Sequence, residues 1–251
     1  MVSGRLIASL ATALLLVSGL GYVASQTLLG RPALVRQPSS YVGAPAPATA
    51  DGDAGGSRQQ GSSTGPPQVD PQWVATTAAA AGIPEPAVRA YATAQLAAPA
   101  GCGIGWTTLA GIGWVESQHG MIGGRILGMD GHSSTPILGP ALNGRGKVAA
   151  IPASPSSTEW HGDPSWDHAV GPLQFIPSSW ETWAADGDGD GVADPNDLDD
   201  AALAAADYLC ADGYDLTTGQ GWADAVFSYN HAQAYIDAVH TAATAYADRT
   251  S

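Results

Sequence analysis

Helical spacing of apolar positions dominates the chain after residue 70. Trp73 to Ala81 runs up to Gly82, a good left-handed stop, and Pro84 opens a second stretch to about Ala98, with Val88, Tyr91 and Leu96 available for burial. A third run, Gly105 to His119 (GWTTLAGIGWVESQH), is apolar and helix-like. Helices are predicted again from Ser178 (SSWETWAA), at about Asp199 to Cys210 (DDAALAAADYLC), at Trp222 to Tyr229 (WADAVFSY) and at His231 to Tyr246, the last capped by Asn230. Residues 120–170 hold many Gly, Pro and Ser around short apolar islands, which predicts loops and a small hairpin. An irregular region of that length is the kind that builds a binding cleft. There is no internal repeat and no alternating strand series, so the fold is expected to be mainly α.

Upstream the pattern changes twice. Residues 6–24 form an uncharged apolar run behind Arg5, and 1–26 therefore reads as a signal peptide or a single membrane anchor, open between the two. Either one exports the chain, free or held at the outer face of the cytoplasmic membrane. Residues 27–70 are Pro, Gly, Ser, Ala and Gln with almost no large apolar groups, too little to offset the entropy of ordering. They are expected to be a disordered linker leading to one globular unit over 71–251.

Charge narrows the partners. The unit from 71 onward carries five basic residues (Arg89, Arg125, Arg145, Lys147, Arg249) against twenty acidic ones, a formal balance of −15. Phosphate binding depends on clustered Lys and Arg, so nucleic acid is excluded as the expected partner. The two cysteines, Cys102 and Cys210, are far apart in an exported chain, and a disulfide between them is the natural expectation. Closing such a loop restricts the unfolded chain by about 4.7 kcal/mol in the chain-entropy picture.

One carboxylate stands out chemically. Glu116 is one of four glutamates in 251 residues and lies between Trp114, Val115 and Ser117. Loss of water there favours the protonated form, which is what a general acid needs. The other three have plainer expected roles. Glu85 suits the first turn of a helix behind Pro84, Glu181 stands at capping-box spacing from Ser178, and Glu159 falls on a Pro/Ser/Thr-rich loop.

Three segments extend this reading: Glu116-Ser117, GPLQFIPSSW from Gly171 to Trp180, and AVFSYN from Ala225 to Asn230. In this order they resemble the lysozyme-like lytic murein transglycosylases, especially the membrane-bound B-type branch and its relatives in high-GC Gram-positive bacteria. The phrases AGIGWVESQHG and DAALAAADYLC look like that branch too. The resemblance covers about 100–251. It implies a lysozyme-like domain acting as a monomer on peptidoglycan glycan strands. Glu116 would be the sole catalytic acid and base, needing no cofactor, with Ser117, Gln174, Tyr229 and Asn230 binding substrate. Asn230 could also only cap a helix, Tyr229 could be core, and Gln174 could tie down a loop. The pattern departs at His168, where such sequences often carry a basic residue, and the charge pairing of that position is left open.

The resemblance further implies cleavage of the MurNAc-GlcNAc bond to 1,6-anhydro-MurNAc ends. A hydrolytic goose-type lysozyme would share the fold and the acid, and an inactive wall-binding domain is a third alternative. Trp160, Trp166, Trp180, Trp183 and Trp222 are candidates for stacking on sugar.

An acidic loop adds a metal candidate. Counting from Asp186 in DGDGDGVADPND, residues Asp186, Asp188, Asp190, Val192, Asp194 and Asp197 fall at positions one, three, five, seven, nine and twelve of an EF-hand loop. A structural Ca2+ is the expected occupant, with Asp197 shorter than the usual Glu at position twelve. The B-type branch resembles this in carrying a related calcium loop.

Overall fold

The structure is a computed structural model that describes residues 43–50, 65–146 and 148–251. The apolar run 6–24, Lys147 and most of the expected linker lie outside the described residues. No helix among the described residues is long and apolar enough to cross a membrane.

Among the described residues eight α-helices form the unit: α1 (Pro71–Ala81), α2 (Glu85–Ala97), α3 (Trp106–Ser117), α4 (Pro155–His161), α5 (Pro177–Trp183), α6 (Leu198–Cys210), α7 (Gly219–Tyr229) and α8 (Gln233–Thr250). A short 3-10 turn covers Ile122–Gly124. The described residues contain isolated antiparallel bridges but no strand, so the mainly α expectation holds.

Local signals explain most boundaries. Asp70 caps α1 by accepting from the Gln72 N–H at 2.8 Å, and Gly82 ends it in the left-handed conformation at φ 72°. α3 is buried almost all round, from Trp106 through Ile112 to Ser117, which fits its uniformly apolar sequence. Around it α8 packs along one side and α2 along another, and α2 in turn lies on α6. Two glycines of α3 permit this approach. A Cβ on Gly111 would stand 2.8 Å from the Val239 carbonyl of α8, and one on Gly113 would overlap the Tyr91 hydroxyl of α2. Deep in the same core the Trp222 indole donates to Thr108 Oγ1 at 3.0 Å. The Cys102–Cys210 disulfide is present, with Cα atoms 5.5 Å apart, and ties the entrance of α3 to the end of α6.

Several local expectations change. The helix at Ser178 begins at Pro177 with Ile176 as its N-cap, so Ser178 and Glu181 form no capping box; Glu181 accepts instead from Ser156 Oγ at 3.1 Å. α8 starts after Ala232, and Asn230 closes α7 rather than opening α8. α4 interrupts the expected loop region, held by a capping box in which Ser154 and Ser157 bond each other's backbone N–H. Part of the segment read as linker makes ordered contacts: Thr49 pairs with Val69, and the Pro45 carbonyl accepts from the Trp106 indole at 3.4 Å.

Candidate active site

Glu116 lies on the last turn of α3 and is 2 % exposed. Its Oε1 accepts a hydrogen bond of 2.7 Å from the Tyr235 hydroxyl of α8. Tyr235 stacks on Tyr229 with ring centroids 6.4 Å apart and planes 10° from parallel, and the Tyr229 hydroxyl donates to the Leu173 carbonyl at 2.9 Å. Phe175 and Tyr208 meet the Tyr229 ring edge to face. Burial, then the charge of Glu116, push both Tyr229 and Tyr235 well above the ordinary phenol range, so both are hydrogen-bond donors at any working pH. One chain of contacts thus joins α3, α7, α8 and the 171–175 turn at the carboxyl group.

The backbone around the acid is unusual. Gln118 and His119, directly after α3, both have positive φ (55° and 60°), as does Gln174 (52°). Non-glycine residues in this region cost of order 1 kcal/mol each and persist where surrounding contacts fix them. Those contacts are present. Ser117 is fully buried, donates its hydroxyl proton to the Pro172 carbonyl and accepts from the Gly120 N–H at 2.7 Å. His119 places its ring nitrogens 3.1 and 2.9 Å from the Tyr91 and Tyr246 hydroxyls. Burial lowers its pKa to about 3, so it is a neutral bridge beneath the site.

The expected site residues therefore take distinct places. Tyr229 joins Glu116 through Tyr235. Ser117 fastens the acid's helix to the 171–175 turn and shows no surface to a sugar. Gln174 turns its amide back onto the Gly171 carbonyl at 2.9 Å while its Oε1 faces Gly139. Asn230 is 1 % exposed and both side-chain polar atoms lack a hydrogen-bond partner, so its side chain caps no helix. Of the tryptophans, Trp222 and Trp180 are core, and Trp160 and Trp183 pack edge-on against Trp180 and Tyr208. Trp114, two residues before the acid, is 46 % exposed.

Tyr235 and His119 were not singled out by sequence reasoning. Tyr235 lies six residues beyond Tyr229, where helical periodicity gives only a core aromatic. His119 ends the Glu116 run, but nothing in the sequence pairs it with Tyr91 and Tyr246.

The acidic loop gathers a different set from the expected one. Carboxylate oxygens of Asp186, Asp188 and Asp200 lie within 4.8 Å of one another. Asp200 also accepts from the Gly187 and Asp194 N–H groups, at 2.6 and 2.8 Å, and its pKa is raised to about 6 by burial and the nearby Asp188 and Asp186 charges. Asp197 stands apart. It caps α6 through the Asp199 N–H and faces His132 at 3.5 Å, and burial together with Asp199 and Asp200 raises it to about 7. Asp190 and Asp194 close local turns onto the Val192 and Asn196 N–H groups. Three converging carboxylates fit a hard divalent cation.

Residues 156–235 match the family model of the transglycosylase SLT domain. Over these residues the chain is similar to the transglycosylase SLT domains, which supports the lytic-transglycosylase, lysozyme-like reading. No curated protein and no solved structure matches the chain. The SLT match points to peptidoglycan as the substrate and to the cell wall as the place of action. It includes Gln174, Tyr229, Asn230 and Tyr235 and ends short of Glu116, which lies 40 residues before its start. Tyr235 bonds Glu116 across that boundary.

Proposed function

We propose that this SLT domain cleaves the MurNAc-GlcNAc β-1,4 bond of peptidoglycan by intramolecular transglycosylation, with Glu116 as acid and then base. The observation that carries this reading is the position of Glu116: a carboxyl group withdrawn from water, bonded on one oxygen by Tyr235, beside the SLT segments. Burial favours the neutral acid, and the Tyr235 hydrogen bond favours the carboxylate formed after proton transfer.

The reaction then proceeds in two balanced proton transfers. Glu116 protonates the glycosidic oxygen as the C1–O bond breaks, and the acetamido carbonyl oxygen of the same muramoyl residue stabilises the positive charge at C1. The Glu116 carboxylate next takes the proton from the C6 hydroxyl, O6 bonds to C1, and a 1,6-anhydro ring closes. No water is consumed. A glycosidase of the usual kind needs a second carboxylate about 5–9.5 Å away, depending on stereochemistry. Glu85, Glu159 and Glu181 sit at a helix start, on α4 and on α5, and none shares the tyrosine-lined setting of Glu116.

Digestion of purified peptidoglycan followed by mass spectrometry tests the reading. Muropeptides one water lighter than hydrolytic products support it, and hydrated reducing ends identify a goose-type lysozyme instead.

Asp186, Asp188 and Asp200 are the residues that would hold a structural Ca2+ in the acidic loop. The ion would neutralise their mutual repulsion and fix the segment between α5 and α6. Calcium is expected to raise the melting temperature of the wild-type chain and to leave an Asp200→Asn variant nearly unaffected. Equal stabilisation of both would remove Asp200 from the site.

A further inference from the structure

The loop region between α3 and α5 contains a second cluster of titratable groups that the acid chemistry does not use. His168 precedes the AVGP segment, and its ring stands between two acceptors. Nδ1 lies 2.8 Å from the Gly139 carbonyl oxygen, and Nε2 lies 3.2 Å from Asp163 Oδ2. A neutral imidazole carries one N–H and one lone pair. It can donate to Gly139 or to Asp163, and the remaining lone pair then faces an oxygen. Only the doubly protonated ring donates to both.

The neighbouring groups fit a single positive charge at this position. His161 packs against His168 with ring centroids 5.0 Å apart. Its Nδ1 accepts from the Asp163 N–H at 3.1 Å, which turns Nε2 toward Asp167 Oδ1 at 3.3 Å. Asp163 is held below the usual carboxylate range, first by the Ser165 N–H and next by His168, and is therefore an anion. Asp163, His161 and Asp167 are the titratable groups facing this pair of rings, with Ser157 Oγ bonded to Asp167 behind them.

Gly139 connects this cluster to the site. Its N–H donates to the Ala169 carbonyl at 2.8 Å, Leu138 bridges Val170, and the Gly171 N–H donates to the Ile137 carbonyl at 2.9 Å. On the same residue, a Cβ would stand 2.9 Å from Gln174 Oε1. Segment 137–139 is thus pinned between His168 and the Gln174 turn.

We infer that His168 is a positioning residue whose imidazolium form holds the 137–139 edge of the cleft against the Gln174 turn, so that glycan binding is strongest while His168 is charged. The inference rests on the proposed peptidoglycan site, and it deepens that reading by making the loop wall pH-sensitive independently of Glu116.

The test has one arm that needs no turnover. Imidazole nitrogen NMR of the wild-type chain should show His168 doubly protonated at pH 5.5 and losing a proton as pH rises, and hydrogen-exchange protection of 137–143 should fall over the same range. In the second arm, KM for soluble glycan strands should rise roughly tenfold from pH 5.5 to 8.5, the scale of one charge-assisted hydrogen bond. A His168→Arg variant should keep the low KM throughout, and His168→Gln should show the high KM throughout. A His168 that is neutral at pH 5.5, or exchange at 137–143 that ignores its titration, overturns the inference even if either variant fails to fold. Failure of the wild type to cleave glycan, with the NMR and exchange results intact, would instead count against the proposed activity.

Discussion

The two walls of the site are built by different physics. On one side Glu116 rides on α3, a helix buried nearly all round and clamped between α2 and α8, with its carboxyl group fastened by Tyr235. On the other side, the described residues of 120–176 form short bridges and turns around α4, held by individual side-chain bonds such as Ser157 to Asp167, His168 to Gly139 and Gln174 to Gly171. The helical wall draws its rigidity mainly from apolar packing, with the buried His119 bridge as its titratable point. The loop wall depends on polar and titratable groups one bond at a time. Under the proposed function, this division holds the proton donor still while a long glycan strand is admitted.

The largest expected effect breaks the chemistry and spares both walls. Glu116→Gln keeps an acceptor for Tyr235 and should lower peptidoglycan turnover by about 10²–10⁴-fold with little change in melting temperature. Acid should weaken the helical wall from beneath through His119. The folded pKa near 3 lies below the unfolded value of 6.5, so the unfolded chain binds the extra proton. This contribution is complete above pH 6.5 and falls by about 1.4 kcal/mol per pH unit as pH drops toward 3. Denaturant melts at pH 7 and pH 4.5 should show a loss that shrinks in His119→Phe.

Tyr235→Phe removes the bond to Glu116 and should reduce kcat by roughly ten- to a hundredfold, the scale of one hydrogen bond to a charged group. Gly111→Ala forces α3 away from Val239 and should cost about 1–3 kcal/mol of stability, read by chemical denaturation. Smallest is Ser157→Ala on the loop wall, worth about 1 kcal/mol. It should raise hydrogen exchange over 154–168 while protection in α3 and α8 stays unchanged. Equal loosening of both walls would show that they are not separate.

The same division explains what could be read from the sequence. Helices α1, α2, α3, α6 and α7 follow from apolar spacing and from punctuation at Gly82 and Pro84, and the cysteine pairing follows from an exported chain with two cysteines. The burial of Glu116 on α3 was legible because a carboxyl group in an apolar helix is chemically conspicuous. The loop wall was not, because its geometry is set by contacts between distant residues. Asp200 joins Asp186 and Asp188 in a carboxylate cluster because α6 returns to the loop, which counting along the loop does not reveal. α4 escaped notice because its capping box uses Ser157 in place of the usual Glu or Gln. Asn230 closes α7 instead of opening α8 because the chain runs on to Ala232 before the next helix begins.

The most direct test is to digest peptidoglycan with the wild-type chain in ¹⁸O-enriched water and weigh the new muramoyl ends. A single carboxyl group that moves one proton out and one back predicts anhydro ends with no ¹⁸O. Incorporation of one ¹⁸O at C1 of each new end would contradict it.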